Sequence, residues 1–235
     1  RATASGAFSD VPGVAQRTTL STTCSPCRLV AVMGVIVPEE FVLASLANEA
    51  ERRVVEAFRD GLSDSWLILP DVSLRGSAQD HQLDIVLVHP EFGVADIEVK
   101  GHRVSVAGGQ WRHGDSPMSP QPPAQAKNNA YALRELLRTE LPHLDKLHVH
   151  YGVAVPNTTA VSGNLGPGFD RDQVITDTDV NRVLTGLWPD DPAATPASQE
   201  TLTEEDVYEV LEEVIDPELG LDFVSLCLDY AAAIE

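Results

Sequence analysis

The chain has 235 residues and 43% hydrophobic content, enough for one sizeable core plus an appendage. Its formal net charge of −20 argues against general electrostatic attraction to nucleic acid. No apolar run reaches the roughly 18 residues a membrane span needs, and three cysteines are too few for a disulfide framework. The charge is uneven: residues 151–235 carry 18 acids against Arg171 and Arg182, net −16, which leaves −4 for the first 150 residues.

Residues 1–38 mix Ala, Thr, Ser and Gly without a period at their start and are expected to be irregular or disordered. Opening on Arg1, the chain reads as a fragment, a processed form or an unusual translation start. Cys24 and Cys27 form a CxxC with no second pair, which reads as two loop thiols rather than a zinc site; Cys227 reads as a small buried apolar residue.

From residue 39 the pattern becomes periodic. Phe41, Val42, Leu46, Val54, Val55 and Phe58 recur at helical spacing, predicting one helix over 39–61 closed by Gly61. Trp66–Leu74 is β-branched and aromatic and predicts a strand. Gln82–Gly101 predicts a hairpin turning at Pro90-Glu91-Phe92-Gly93, and residues 104–112 a second, shorter one around Gly108-Gly109. Four prolines from Pro117 to Pro123 lead into a helix from about Ala124 to Glu140, with Gln125 and Asn129 on one face. Leu147–Val155 predicts a strand reached by a crossover. Residues 173–176 predict a short strand, and 177–187 a helix with an acidic start. Residues 188–200, rich in Pro, Ala and Asp, predict a linker. Beyond them Thr203 with Asp206 predicts a capped helix, Asp216–Gly220 a turn and Phe223–Tyr230 a strand.

The first hairpin carries the chemistry. A turn centred on residue 91 sets Asp84 opposite Glu98, with Lys100 two residues further along the same face. Like charges on facing positions roughly 5 Å apart are destabilising. A divalent cation between the carboxylates removes that penalty, and Mg²⁺ commonly takes one or two carboxylates plus phosphate oxygens. The structural alternative is a sheet face bearing an ordinary Glu–Lys pair, worth under about 1 kcal/mol if exposed.

Asp84, a spacer and Glu98-Val99-Lys100 resemble the PD-(D/E)XK nuclease core. Ala50–Val54, Trp66–Leu74, Leu83–Pro90, Phe92–Gly101, Gly109-Gln110-Trp111, Ser119-Pro120 and Gln125–Asn129 together resemble the nuclease-related (NERD) domain of that superfamily. The likeness is strong over residues 44–138 and fades toward 187. It implies an α/β, restriction-endonuclease-like fold: a mixed central sheet flanked by helices, here over 39–187. It also implies a Mg²⁺- or Mn²⁺-dependent DNA nuclease in the cytoplasm of a bacterium. Asp84, Glu98 and the Val99 carbonyl would hold the metal. Lys100 would hold water or offset phosphate charge. Glu51, with Glu49 as its competitor, and Gln125 would complete the site.

Residues 201–235, a small acidic α+β appendage, resemble the start of a metal–sulfur cluster assembly-factor domain. Val214–Gly220 and Ser225–Leu228 carry that likeness, and the later cysteine-bearing segment is absent. The 12 acids after Pro196, with no basic residue, make the tail a poor partner for DNA. Two functional readings stay open: a metal-dependent phosphodiesterase, or a non-catalytic module that keeps the fold and binds nucleic acid or protein. A third possibility concerns only the ends, 1–38 and 197–235, which proteolysis is expected to trim from a core near 39–190.

Overall fold

The computed structural model describes residues 33–74, 80–181 and 202–214. Its centre is a six-stranded mixed sheet in the order β1-β2-β3-β4-β8-β9. The strands are β1 (Val35–Ile36), β2 (Leu67–Leu74), β3 (His81–His89), β4 (Gly93–Val99), β8 (Val149–Val155) and β9 (Val174–Thr176). Pairings β2–β3 and β3–β4 are antiparallel, whereas β1–β2, β4–β8 and β8–β9 are parallel. A small separate sheet, β5 (Val104–Ala107), β6 (Gln110–His113) and β7 (Ser116–Pro117), leaves the main one just after β4.

Helices cover both faces. Helix α1 (Glu49–Gly61) packs Ala50, Val54, Val55 and Phe58 against Ile68, Ile85, Leu87, Ala95 and Ile97. Helix α2 (Pro122–Glu140) packs Ala130, Leu133 and Leu137 against Leu69, Val86, Val88 and Val94. Neighbouring residues of β4 therefore enter opposite cores, as strand alternation requires. All seven residues of β4 are buried, the pattern of a strand with no solvated face. The expected fold class, a mixed sheet flanked by helices, is the observed one. No described helix is long and apolar enough to cross a membrane.

Three boundaries differ from expectation. The helix predicted from residue 39 begins at Glu49, capped by Asn48, whose side chain accepts the Ala50 N–H at 3.0 Å. The apolar residues upstream are instead a short 3₁₀ turn, Leu43–Ser45, and an irregular lead-in. Strand β1 lies inside the segment expected to be irregular, and pairs Val35 with Leu67 and Ile36 with Ile68. Helix α2 starts at Pro122, two residues early, because proline is tolerated in a first turn that lacks amide partners.

Helices α3 (Asp177–Asn181) and α4 (Glu204–Val214) are the remaining described α-helices, and short 3₁₀ turns stand at Pro142–Leu144 and Arg171–Gln173. The predicted Thr203 cap forms: the Thr203 N–H donates to Asp206 at 2.6 Å, and the Asp206 N–H donates to the Thr203 hydroxyl at 3.1 Å. Leu202, Val207, Val210 and Leu211 join the core beneath α2. The rest of the tail likeness, the linker and the three cysteines lie outside the described residues.

Candidate metal and phosphodiester site

The site forms where the β3–β4 hairpin opens. Ile85↔Ile97 is the last paired rung, and Asp84 and Glu98 are the next residues along each strand. Asp84 does not stand on a sheet face as simple alternation predicts. Its Oδ2 accepts the Val99 N–H at 2.6 Å, so its carboxylate reaches into the ladder. The cause lies across β2. Pro70 pairs with Ile85 and Val72 with Leu83, but the rung between them, Asp71 with Asp84, is missing. Asp71 adopts φ 60°, a left-handed conformation. The strands twist there, so Leu69 and Val72, and likewise Leu83 and Val86, share one core although three residues apart.

Glu98 follows regular alternation and faces α2. Its Oε1 accepts a short charge-assisted hydrogen bond from Lys100 Nζ, and its Oε2 accepts from Asn129 Nδ2 at 3.3 Å. Lys100 Nζ also donates to Gln125 Oε1 at 3.2 Å. Asn129 is buried; it donates to the Gln82 carbonyl at 3.2 Å and meets His81 Nδ1 at 3.1 Å. From the other helix, Asn48 Nδ2 donates to Glu51 Oε1 at 2.8 Å. Glu49, by contrast, points outward, 82% exposed and paired with Arg52 at 2.7 Å. The ends of two strands and the first turns of two helices thus bring Asp84, Glu98, Lys100, Gln125 and Glu51 to one corner.

The electrostatics are those of crowded acids. Burial, then the charge of Glu98, pushes the Asp84 carboxyl up to about 7. Burial likewise raises Glu98, against the pull of Lys100. Asp96, two residues before Glu98 on the same face, is wholly buried, and neither of its carboxylate oxygens has a hydrogen-bond partner. Burial, with Glu98 and Asp84 nearby, raises it well above the usual carboxylate range. The corner therefore gathers more acidic groups than Lys100 can neutralise once they ionise.

A divalent ion suits that imbalance, and hard carboxylate oxygens suit Mg²⁺ or Mn²⁺. Asp84, Glu98 and Glu51 do not all come within 4.8 Å of one another. Asp84 and Glu98, which end the paired part of the hairpin, are the candidate carboxylate ligands, and the charge of Glu51 acts on both.

Three contributing residues escaped the sequence reading in part. Asn48 was legible, since Asn followed three residues later by Glu51 is a helix-start pattern. Asn129 was placed on the Gln125 face, but its bond to Glu98 needs the packing of α2 on β4. Asp96 carried no signal, because an acid inside an apolar strand looks like any strand polar residue until burial is known.

Residues 46–156 match the nuclease-related domain family, NERD. The chain finds no significant match among curated proteins or solved structures. The family match contains both helix starts, the open end of the hairpin and every residue of the corner just described. The likeness to the nuclease-related domain family thus spans residues 46–156, the stretch that holds the whole corner.

Proposed function

We propose that this domain is a metal-dependent phosphodiesterase acting on DNA. The observation that carries the reading is the crowding of Asp84 and Glu98, each raised by burial, beside the Lys100 ammonium. Asp84, Glu98 and the Val99 carbonyl would hold the ion, Mg²⁺ or Mn²⁺. When bound, the ion supplies Lewis-acid polarisation of the phosphodiester and makes water more acidic.

The chain's own groups do the rest. Lys100 is tethered by Glu98 and Gln125, so its ammonium is held at a fixed place. There it offsets charge that builds on a phosphoryl group and orients the attacking water. Asn129 and the Lys100 contact keep Glu98 in one rotamer. Glu51, anchored by Asn48, forms the outer edge.

A second reading is a binding module that keeps this fold without turnover. The net charge of −20 and the near-complete burial of Glu98, 1% exposed, favour it. Cleavage of supercoiled plasmid and single-stranded DNA in Mg²⁺ or Mn²⁺ separates the two. Asp84→Asn keeps the side-chain shape and an oxygen for the Val99 N–H, so the variant is expected to fold and to lose cleavage. No cleavage by folded wild-type protein with either ion, together with retained DNA binding, supports the module instead.

A further inference from the structure

A second group of ligand atoms lies well away from this corner. Between α2 and β8 the chain makes a 3₁₀ turn, Pro142–Leu144, and α4 packs beside it. Gln125 and Glu140 alone are separated by roughly 22 Å along α2 at helical rise, so the turn is remote from Asp84 and Glu98. His143 Nε2 lies 2.9 Å from Asp206 Oδ1 and 3.2 Å from Glu209 Oε2, two acids three apart on α4. Among the described residues, these form the group of three His, Asp or Glu ligand atoms lying within 4.8 Å of one another.

Protein bonding alone leaves this arrangement incomplete. One ring nitrogen has one bonding direction, and His143 Nε2 spends it on Asp206. Glu209 Oε2 is then shielded from solvent with no hydrogen-bond partner, although it sits against the same nitrogen. One imidazole nitrogen and two carboxylate oxygens thus converge on one place. A divalent cation there would bond to all three at once.

The spacing fits such an ion. Metal–ligand bonds of about 2.0–2.1 Å in a tetrahedral site set ligand atoms roughly 3.3 Å apart, close to the 2.9 and 3.2 Å seen here. Imidazole with two carboxylates suits a divalent transition ion such as Zn²⁺ better than Mg²⁺. Asp206 is also held from behind. Its Oδ2 accepts from the Thr203 N–H and hydroxyl, both at 2.6 Å, leaving Oδ1 turned to the cluster.

We propose that His143, Asp206 and Glu209 form a divalent transition-metal site, separate from the Asp84–Glu98 corner, that clasps α4 to the turn after α2. Because its ligands come from two elements, the ion would fasten the acidic tail helix, whose apolar face already lies on the core, with at least one position left for water.

Zn²⁺ titration of the full chain by calorimetry at pH 7.5 tests it, with Co²⁺ absorption as a second probe of ligand geometry. Wild type is expected to bind Zn²⁺ and to gain melting temperature from it. His143→Gln and Glu209→Gln are expected to weaken that binding by at least tenfold, on the scale of lost metal contacts, and to lose the thermal gain. Asp84→Asn/Glu98→Gln is expected to keep it. Absence of Zn²⁺ binding to wild type overturns the proposal. So does unchanged affinity in His143→Gln, which would assign the ion to other ligands, Cys24 and Cys27 among them. The comparison of wild type with His143→Gln decides the matter even if the double variant fails to fold.

Discussion

The Asp84 carboxylate accepts the Val99 N–H at 2.6 Å, and so fills the place where the next rung of the β3–β4 ladder would stand. A side chain has replaced a backbone acceptor at the point where the strands part. That substitution brings an acid beside Glu98 and leaves the hairpin end open.

The first expectation concerns pH. Asp84 titrates at about 7 in the folded chain, against an ordinary 3.8. Between those values the native state keeps a proton that the unfolded chain has released. Stability therefore falls as pH rises through that window, and levels off above it. The loss attributable to this group is on the order of 4 kcal/mol at full ionisation. Denaturant midpoints taken from pH 4.5 to 8 with chelator present should fall more steeply for wild type than for Asp84→Asn. Mg²⁺ or Mn²⁺ should recover part of the loss at pH 8. Identical pH curves for the two proteins would mean that Asp84 is not strained by its neighbours.

Lys100 is held to a Glu98 side chain only 2% exposed. Removing the ammonium strands a buried carboxylate, so Lys100→Ala should lose both cleavage and stability, the latter by about 2–4 kcal/mol. Lys100→Met/Glu98→Gln should recover most of the stability and none of the cleavage. Urea unfolding beside plasmid cleavage reads both. A Lys100→Ala protein as stable as wild type would show that the pair contributes nothing.

Asp96 makes the opposite case. Its two oxygens lie buried without a partner, and the strand around it is apolar. Asp96→Val, a β-branched replacement of similar size, should stabilise the chain by about 1–3 kcal/mol at neutral pH. Equilibrium unfolding at pH 7.5 measures it, and a large loss of stability would mean that Asp96 has a binding partner in solution.

Asn48 does two jobs that can be separated. Its oxygen caps α1, and its amide holds Glu51. Asn48→Ser retains a capping oxygen and should stay within about 0.5 kcal/mol of wild type, whereas Asn48→Ala should lose about 1 kcal/mol. Both remove the tether on Glu51, so cleavage should drop in both. Full activity in Asn48→Ser would assign Asn48 to helix capping alone.

The hairpin and the Asp84, Glu98 and Lys100 set were legible because turn chemistry and two-residue alternation are local. Alternation also misplaced Asp84, since the left-handed Asp71 that twists the sheet belongs to a different strand. The start of α1 was masked by Phe41, Val42 and Leu46, apolar residues that keep helical spacing by chance while belonging to a lead-in and a 3₁₀ turn. The short strand β1 has too few residues to show a period. Asn129 and Asp96 depend on which side chains α2 covers, a tertiary fact with no trace in local pattern. His143 precedes the Asp206 and Glu209 pair by more than 60 residues, and only the packing of α4 joins them.

The Cβ that Gly101 lacks would stand 3.0 Å from the Asn48 side chain, so the strand end runs hard against the cap of α1. Lys100, one residue earlier, touches Gln125 in the opening turns of α2. Two helices therefore aim their electropositive ends at the same corner. The corner that gathers the most buried acid is thus also the one to which two helix ends lend partial positive charge, easing the repulsion among Asp84, Glu98 and Glu51.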